Sequence, residues 1–129
     1  MCPPVAAPTG ATGRSDAVVD REQLLERLEG DLRLLAEIVA LYHQTCPGLV
    51  QELRAALERR DTAGVYRAAH TLKGMVAHFG APDATRALLV LEEQAREGRT
   101  EGLDAAMETA VREIARLDDA LDRLRRDAA

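Results

Sequence analysis

The last part of the chain repeats apolar residues at alternating steps of four and three, and this repeat constrains the fold more than any other feature. The repeating positions are Leu103, Met107, Ala110, Ile114, Leu117, Leu121 and Leu124. Such spacing is typical of a helix that packs along a nearly straight seam against other helices. Strand signals are essentially missing, and aromatic residues make up only 2% of the chain, so Ala and Leu must build the interior. The sequence therefore predicts an all-α fold.

Helical spacing also runs through most of the chain from Asp20 onward, interrupted by cap and stop residues. Asp20 is suited to cap a short first helix that ends at Gly30, and Asp31 to start a second helix. Pro47 suits the first turn of a third helix, because that position needs no backbone N–H.

The remaining helices follow from similar signals. A fourth helix is opened by Asp61 or Thr62 and ends at Gly80, a fifth runs from Pro82 to Gly98, and Thr100 caps the last. The expected architecture is an antiparallel four-helix bundle with a short additional N-terminal helix.

Composition limits the domain organisation and the classes of partner. The composition of residues 1–15, which is Pro, Ala, Gly and Thr without periodicity, predicts a flexible tail or linker. Residues 16–127 are predicted to form one folded domain. A net charge of −5 argues against nucleic acid as the main partner, and no apolar run approaches a membrane span. Cys2 and Cys46 form no metal or disulfide pattern, which, without a secretion signal, favours the cytoplasm.

The segment around His70 carries reactive residues on its outward face. Its apolar stripe consists of Val65, Ala69, Leu72, Val76 and Phe79. At about 100° per residue, His70 lies roughly 140° from the centre of this stripe, Gly74 roughly 180° and Lys73 roughly 80°. The imidazole is therefore expected in solvent, with a bare backbone one turn on and a cation beside it.

This segment resembles the signature of the histidine-containing phosphotransfer (HPt) domain. The matching residues are His70-Thr71-Leu72-Lys73-Gly74, then Met75-Val76-Ala77-His78, then Phe79-Gly80, with Leu91-Glu92-Glu93 in the next helix. The similarity extends more loosely over residues 20–125. It implies a phosphorelay intermediate in which His70 takes a phosphoryl group from the aspartate of one receiver domain and passes it to another.

The residue types suit that chemistry. A histidine is largely neutral at cytosolic pH, so one ring nitrogen keeps a lone pair that can attack an acyl phosphate. Lys73 can meet the phosphoryl oxygens, and Gly74 removes a side chain that would crowd the ring. The glycine costs about 1 kcal/mol of helix propensity relative to Ala, so its place in mid-helix requires a reason.

Glu92 is expected beside His70 on geometric grounds. If the fourth and fifth helices form a hairpin centred near Ala81, both residues lie eleven positions from the turn and therefore at the same height. A carboxylate there can accept the proton of the inner ring nitrogen and leave the outer nitrogen free to react. HPt domains commonly have Glu or Gln at the matching position.

The resemblance also implies partners. These are response-regulator receiver domains, with a hybrid sensor histidine kinase as a further candidate. The docking face is expected on the solvent side around His70, with Leu25, Leu28, Ala36 and Met75 as candidate contacts. No metal site is expected in this chain, and the Mg²⁺ that the reaction needs should be held by the receiver. The absence of a phosphate-binding loop predicts a carrier without ATP-dependent kinase activity of its own.

Two alternatives stay open at this point. In the first, the domain is a kinase substrate that a separate ATP-binding domain phosphorylates, as in chemotaxis kinases. In the second, His70 is inert and the bundle regulates a receiver by docking alone.

Overall fold

The computed structural model describes residues 19–128, with side chains described through residue 126, and its secondary structure in that range is entirely helical. The five helices are α1 (Arg21–Arg27), α2 (Leu32–Glu58), α3 (Thr62–Ala77), α4 (Pro82–Arg96) and α5 (Leu103–Ala128). The four long helices close a ring in which α2 packs on α3, α3 on α4, α4 on α5, and α5 on α2. Short connections make consecutive helices antiparallel, so the predicted four-helix bundle with an additional N-terminal helix is confirmed. The predicted tail, residues 1–15, lies outside the described residues.

Aspartate caps begin the first three helices. Asp20, Asp31 and Asp61 are the N-caps of α1, α2 and α3, and each carboxylate accepts the backbone N–H three residues on. These bonds run to Gln23 (3.1 Å), Leu34 (3.0 Å) and Gly64 (3.0 Å). Each bond satisfies a backbone N–H that the helix itself leaves unpaired. Such a cap typically contributes about 1 kcal/mol to the stability of the helix.

The prediction of a separate helix beginning at Pro47 is wrong, because α2 continues through this residue. Proline removes the N–H that would bond the carbonyl of His43, and in a helix interior it costs about 3 kcal/mol. The buried side chains on both sides of it belong to one stripe: Leu35, Val39, Tyr42, Cys46, Leu53 and Leu57. Each buried large apolar side chain contributes about 1.5–3 kcal/mol to the stability of the fold. Continuous packing along the stripe therefore outweighs the cost of Pro47, whose own ring is exposed.

The predicted cap at Thr100 is also wrong, since α5 begins only at Leu103. The backbone carbonyl of Thr100 accepts the N–H of Leu103 at 3.3 Å, and that of Gly102 accepts the N–H of Ala106 at 3.0 Å. Gly102 has φ of 81°, a left-handed conformation that glycine tolerates best. This turn lets the chain enter the helix at the fully buried Leu103.

The predicted apolar stripes form the core. The five predicted stripe residues, four on α3 and Phe79 in the turn that follows it, are at most 2% exposed. The seven repeat positions of α5 are at most 7% exposed. On α4, residues Ala84, Leu88, Leu91 and Ala95 are buried as well. This packing fixes the rotation of α3 and directs residues 70 and 74 away from the core. No helix in residues 19–128 is long and apolar enough to cross a membrane.

Candidate functional site

His70 lies on the outward face of α3, and 59% of its side chain is exposed. Its Nδ1 atom lies 3.1 Å from Oε2 of Glu92 on α4. Within the described residues, this is the ring's hydrogen bond to the protein, so Nε2 stays on the solvent side. The imidazole is thus held at one nitrogen and presented at the other.

The hairpin between α3 and α4 places Glu92 opposite His70. Gly80 turns the chain with φ of 66°, Ala81 is the N-cap of α4, and Pro82 occupies its first turn. The equal count of residues on either side of the turn brings the two side chains to the same height, as the sequence predicts. Among the described residues, Glu92 is the only buried charged residue, at 7% exposure.

Lys73 shares the carboxylate of Glu92. Its Nζ atom lies 2.8 Å from Oε1, while His70 takes Oε2, so the two oxygens are divided between two partners. The distance makes this a close ion pair between the ammonium group and a carboxylate oxygen. The lysine side chain is 25% exposed. Sequence reasoning placed Lys73 beside the ring but missed its contact with Glu92.

The ionisation of Glu92 follows from these contacts. Burial favours its neutral form, but Lys73 and then His70 outweigh this effect and hold the pKa of Glu92 below its ordinary value. The group is therefore a carboxylate at neutral pH and accepts a hydrogen bond from the Nδ1–H group of His70. This selects the tautomer with its lone pair on Nε2, the nitrogen that faces solvent.

The two glycines of α3 differ in what surrounds them. A Cβ atom at Gly64 would lie 2.7 Å from Oδ2 of Asp61 and 3.0 Å from Cβ of Ala56, so packing at the helix start explains this glycine. A Cβ atom at Gly74 would meet nothing within 4 Å. Packing among the described residues therefore gives no reason for Gly74, one turn beyond His70, although this glycine costs the helix about 1 kcal/mol.

Tyr66 contacts the imidazole from the preceding turn. Its ring is nearly parallel to that of His70, with an interplanar angle of 13° and centroids 5.8 Å apart. Sequence reasoning missed this contact. The signal was the spacing of four residues, which places Tyr66 and His70 on the same side of a helix.

An apolar groove of about 450 Å³ opens beside Gly74, between α2 and α3. Its lining includes Ile38, Leu41, Tyr42, Thr45, Thr71, Gly74, Met75, His78 and Phe79. Among the residues that the structure describes, Leu41 is the most exposed large apolar residue, at 63%. Sequence reasoning overlooked Leu41, although Leu34, Ile38, Leu41 and Thr45 follow helical spacing beside the buried stripe.

The four candidate docking residues are divided by the structure. Met75 lines the groove, whereas Leu25, Leu28 and Ala36 do not. All four are half-buried. Helix α1 is nevertheless attached at one end of the groove, because Arg27 donates a hydrogen bond of 2.8 Å to the carbonyl of His78.

The described residues contain no group of three His, Cys, Asp or Glu side chains that could hold a metal ion. The polar cluster of this site instead consists of one imidazole, one ammonium group and one carboxylate. Such a set can hold a proton at Nδ1 and offer a nucleophile at Nε2.

Comparisons with known proteins bear on the family and the fold of the chain. The Hpt domain family model matches residues 37–127. The chain is similar to the HPT domain of a sensor hybrid histidine kinase from Shewanella, with a TM-score of 0.71 and 19% identity over 83% of this chain and 92% of that one, a likeness of fold alone. It is also similar to histidine-containing phosphotransfer protein B from Pseudomonas aeruginosa PAO1, with a TM-score of 0.70. The identity is 26%, over 86% of this chain and 96% of that one. No curated protein matches it by sequence.

Proposed function

The chain belongs to the Hpt domain family, and from this premise we propose that His70 accepts a phosphoryl group from the aspartate of one receiver domain and passes it to another. The family carries phosphoryl groups in two-component signalling. The identity of His70 as the acceptor, the receivers as donor and recipient, and the direction of flow are parts of the proposal.

The proposed step is an in-line displacement at phosphorus. The Nε2 lone pair of His70 attacks the phosphorus of the receiver's aspartyl phosphate, an N–P bond forms, and the bond to the aspartate oxygen breaks. The aspartate leaves as a carboxylate with its electron pair. Nδ1 keeps its proton, and Glu92 stabilises the positive charge that the ring gains during the attack. Return transfer to a second receiver runs through the same step in reverse.

The observation that carries the proposal is the contact between Nδ1 of His70 and the buried Glu92 carboxylate. An ordinary exposed histidine needs no buried anion behind it, and burying a carboxylate is unfavourable unless it is paired. Lys73 supplies that pairing at rest. Because this lysine is partly exposed, it can also reach the phosphoryl oxygens as their charge develops.

The groove beside Gly74 supports a receiver as the partner. A receiver must bring its acidic phosphorylation pocket over Nε2, and the bare backbone of Gly74 leaves room for that approach. Leu41 and Met75 then provide apolar contact next to the reacting atoms. We extend the docking face from Met75 to Leu41 and assign Leu25 and Leu28 to its edge, where α1 meets α3; Ala36 is a weaker candidate.

Further parts of the proposal concern what the chain does not supply. The Mg²⁺ ion is assigned to the receiver's acidic pocket, and ATP-dependent phosphorylation to a separate kinase. A hybrid sensor histidine kinase is one candidate donor, through its receiver domain. We place the protein in the cytoplasm, where such receivers operate.

The test is single-turnover transfer with purified protein. The chain is incubated in one series with phosphorylated receivers from its source, and in another with ATP-charged histidine kinases. Acid-labile label at His70 from a receiver supports the relay. Label only from the kinase would show a kinase-substrate module, and no label from either, despite receiver binding, would show a docking bundle.

A further inference from the structure

The outward face of α3 carries three residues at steps of four: Tyr66, His70 and Gly74. Residues four apart are neighbours on a helix, and helical side chains lean toward the N-terminus. The imidazole of His70 therefore leans toward Tyr66 and away from Gly74. The parallel arrangement of the two rings, at 13°, agrees with this direction.

The hydrogen bond to Glu92 does not by itself define the plane of the ring. A carboxylate oxygen accepts over a broad range of directions, so the imidazole can tilt about its contact at Nδ1. The lone pair of Nε2 lies in the ring plane, and any tilt changes the direction in which it points. In-line attack on phosphorus needs that direction to be correct within a narrow range.

We propose that Tyr66 is a positioning residue for phosphoryl transfer, which sets the plane of the His70 ring by parallel stacking. This inference rests on the proposed function of His70. Offset parallel rings at a centroid distance of 5.8 Å are in a favourable arrangement for aromatic pairs. Tyr66 itself is half-buried and packs against the core, so it offers the imidazole a fixed surface.

The two neighbours of His70 then have complementary roles. Tyr66 covers one side of the ring, and Gly74 leaves the opposite side open, since a Cβ there would meet nothing. The partner approaches over Gly74 while the ring is supported from behind. Glu92 fixes the tautomer, and Tyr66 fixes the tilt.

The test compares Tyr66→Leu, which removes the aromatic ring but keeps bulk and helix propensity, with Tyr66→Phe, which keeps the ring. Three quantities are measured: the ring-current shift of the His70 protons, the single-turnover rate at saturating receiver, and the dissociation constant for the receiver. Phosphorylation by the small donor phosphoramidate is measured in parallel.

We expect the ring-current shift of the His70 protons to disappear in Tyr66→Leu and its single-turnover rate to fall roughly 10-fold. Its affinity for the receiver should be unchanged. Tyr66→Phe should match the wild type in every measurement. A wild-type rate in Tyr66→Leu, a loss confined to affinity, or an equal loss in Tyr66→Phe would overturn the inference.

The design separates this inference from the proposed function. If the wild-type protein accepts phosphate from phosphoramidate but from no receiver, the relay function fails, and Tyr66 is judged on the phosphoramidate rate alone. If His70 accepts from neither donor, both proposals are overturned.

Discussion

Two carboxylates lie between helices on different sides of the bundle, and their pKa values are displaced in opposite directions. Glu92 belongs to the α3–α4 cluster with His70 and Lys73, and its pKa is lowered. Asp118 belongs to the α2–α5 cluster with Tyr42 and Cys46, and its pKa is raised by burial, which Tyr42 and His43 only partly offset. Its Oδ1 atom is buried without a hydrogen-bond partner.

The difference shows what a neighbouring cation does to the pKa of a carboxylate that packing removes from solvent. In the α3–α4 cluster, the Lys73 ammonium group lies at 2.8 Å and preserves the charge of Glu92 at neutral pH. In the α2–α5 cluster, burial also raises the pKa of Cys46 and of Tyr42, so both of these groups stay neutral. The first cluster therefore places a charged carboxylate beside a histidine, whereas the neutral Tyr42 and Cys46 of the second cluster contribute to packing between helices.

The largest expected effect is that of His70→Gln, which should reduce phosphoryl acceptance to background. Its free energy of unfolding should change little, because the ring is mostly exposed. The matched control is His43→Gln, which alters a histidine 5.8 Å from the Tyr42 ring in the second cluster and should leave transfer intact. Acid-labile label is mapped by mass spectrometry; label at His43 or His78 in the His70 variant would contradict the assignment.

Gly74→Gln should lower the transfer rate roughly 100-fold, because the new side chain projects beside the imidazole where the receiver approaches. The helix should become no less stable, since glutamine has the higher helix propensity. Ala105→Gln adds the same side chain at an exposed position of α5 and serves as the control. Stopped-flow transfer and urea unfolding measure both effects. Wild-type transfer in Gly74→Gln would show that the receiver approaches over another face.

Glu92→Gln and Asp118→Asn test the comparison directly, since each replaces a carboxylate by an amide of similar shape. Glu92→Gln should slow transfer roughly 10-fold, because the ring loses the charge behind Nδ1. Asp118→Asn should leave the rate unchanged. The tautomer of His70, read from its ¹⁵N chemical shifts, should become mixed only in the Glu92 variant. Equal transfer rates in the two variants would remove the distinction between the clusters.

Lys73→Ala should slow transfer severalfold, because a cation near the moving phosphoryl group is lost. The loss of stability should be about 1 kcal/mol or less, as the lysine is partly exposed. The pKa of Glu92 should rise toward its ordinary value, since Lys73 makes the largest contribution that lowers it. Carboxyl ¹³C shifts measured against pH follow this change. An unchanged transfer rate would show that Lys73 does not act on the phosphoryl group and only pairs with Glu92 in the resting protein.

The smallest effects concern the pH dependence of stability, where the two carboxylates should act with opposite sign. The lowered pKa of Glu92 contributes stability above its ordinary value of 4.5, which is lost as pH falls through the folded pKa. The raised pKa of Asp118 has the reverse effect, since stability falls as pH rises from 3.8 toward the folded value.

Urea unfolding across the acid range measures how the free energy of unfolding changes with pH in each variant. Glu92→Gln should lose less stability on acidification than the wild type. Asp118→Asn should gain relative to the wild type as pH rises toward neutrality. Changes of the same sign in the two variants, relative to the wild type, would contradict the opposite pKa shifts of Glu92 and Asp118.

The periodicity of apolar residues determined the helices, their buried faces and the outward direction of His70. These are local properties, because 3.6 residues per turn relate position along the chain to position around the helix. The caps at Asp20, Asp31 and Asp61 were predictable for the same reason, since each bonds a backbone group three residues away. The height of Glu92 followed from counting residues across one hairpin.

Contacts between helices required the tertiary structure. Pro47 signalled a helix start, but burial on both sides of it against other helices kept α2 continuous. The parallel arrangement of the His70 and Tyr66 rings and the contact of Lys73 with Glu92 depend on side-chain rotamers, which sequence spacing does not specify. The opposite pKa shifts of Glu92 and Asp118 were decided last, because a pKa depends on burial and neighbouring charges in space. The sequence by itself thus determined which residues face outward, and tertiary packing decided which of them touch.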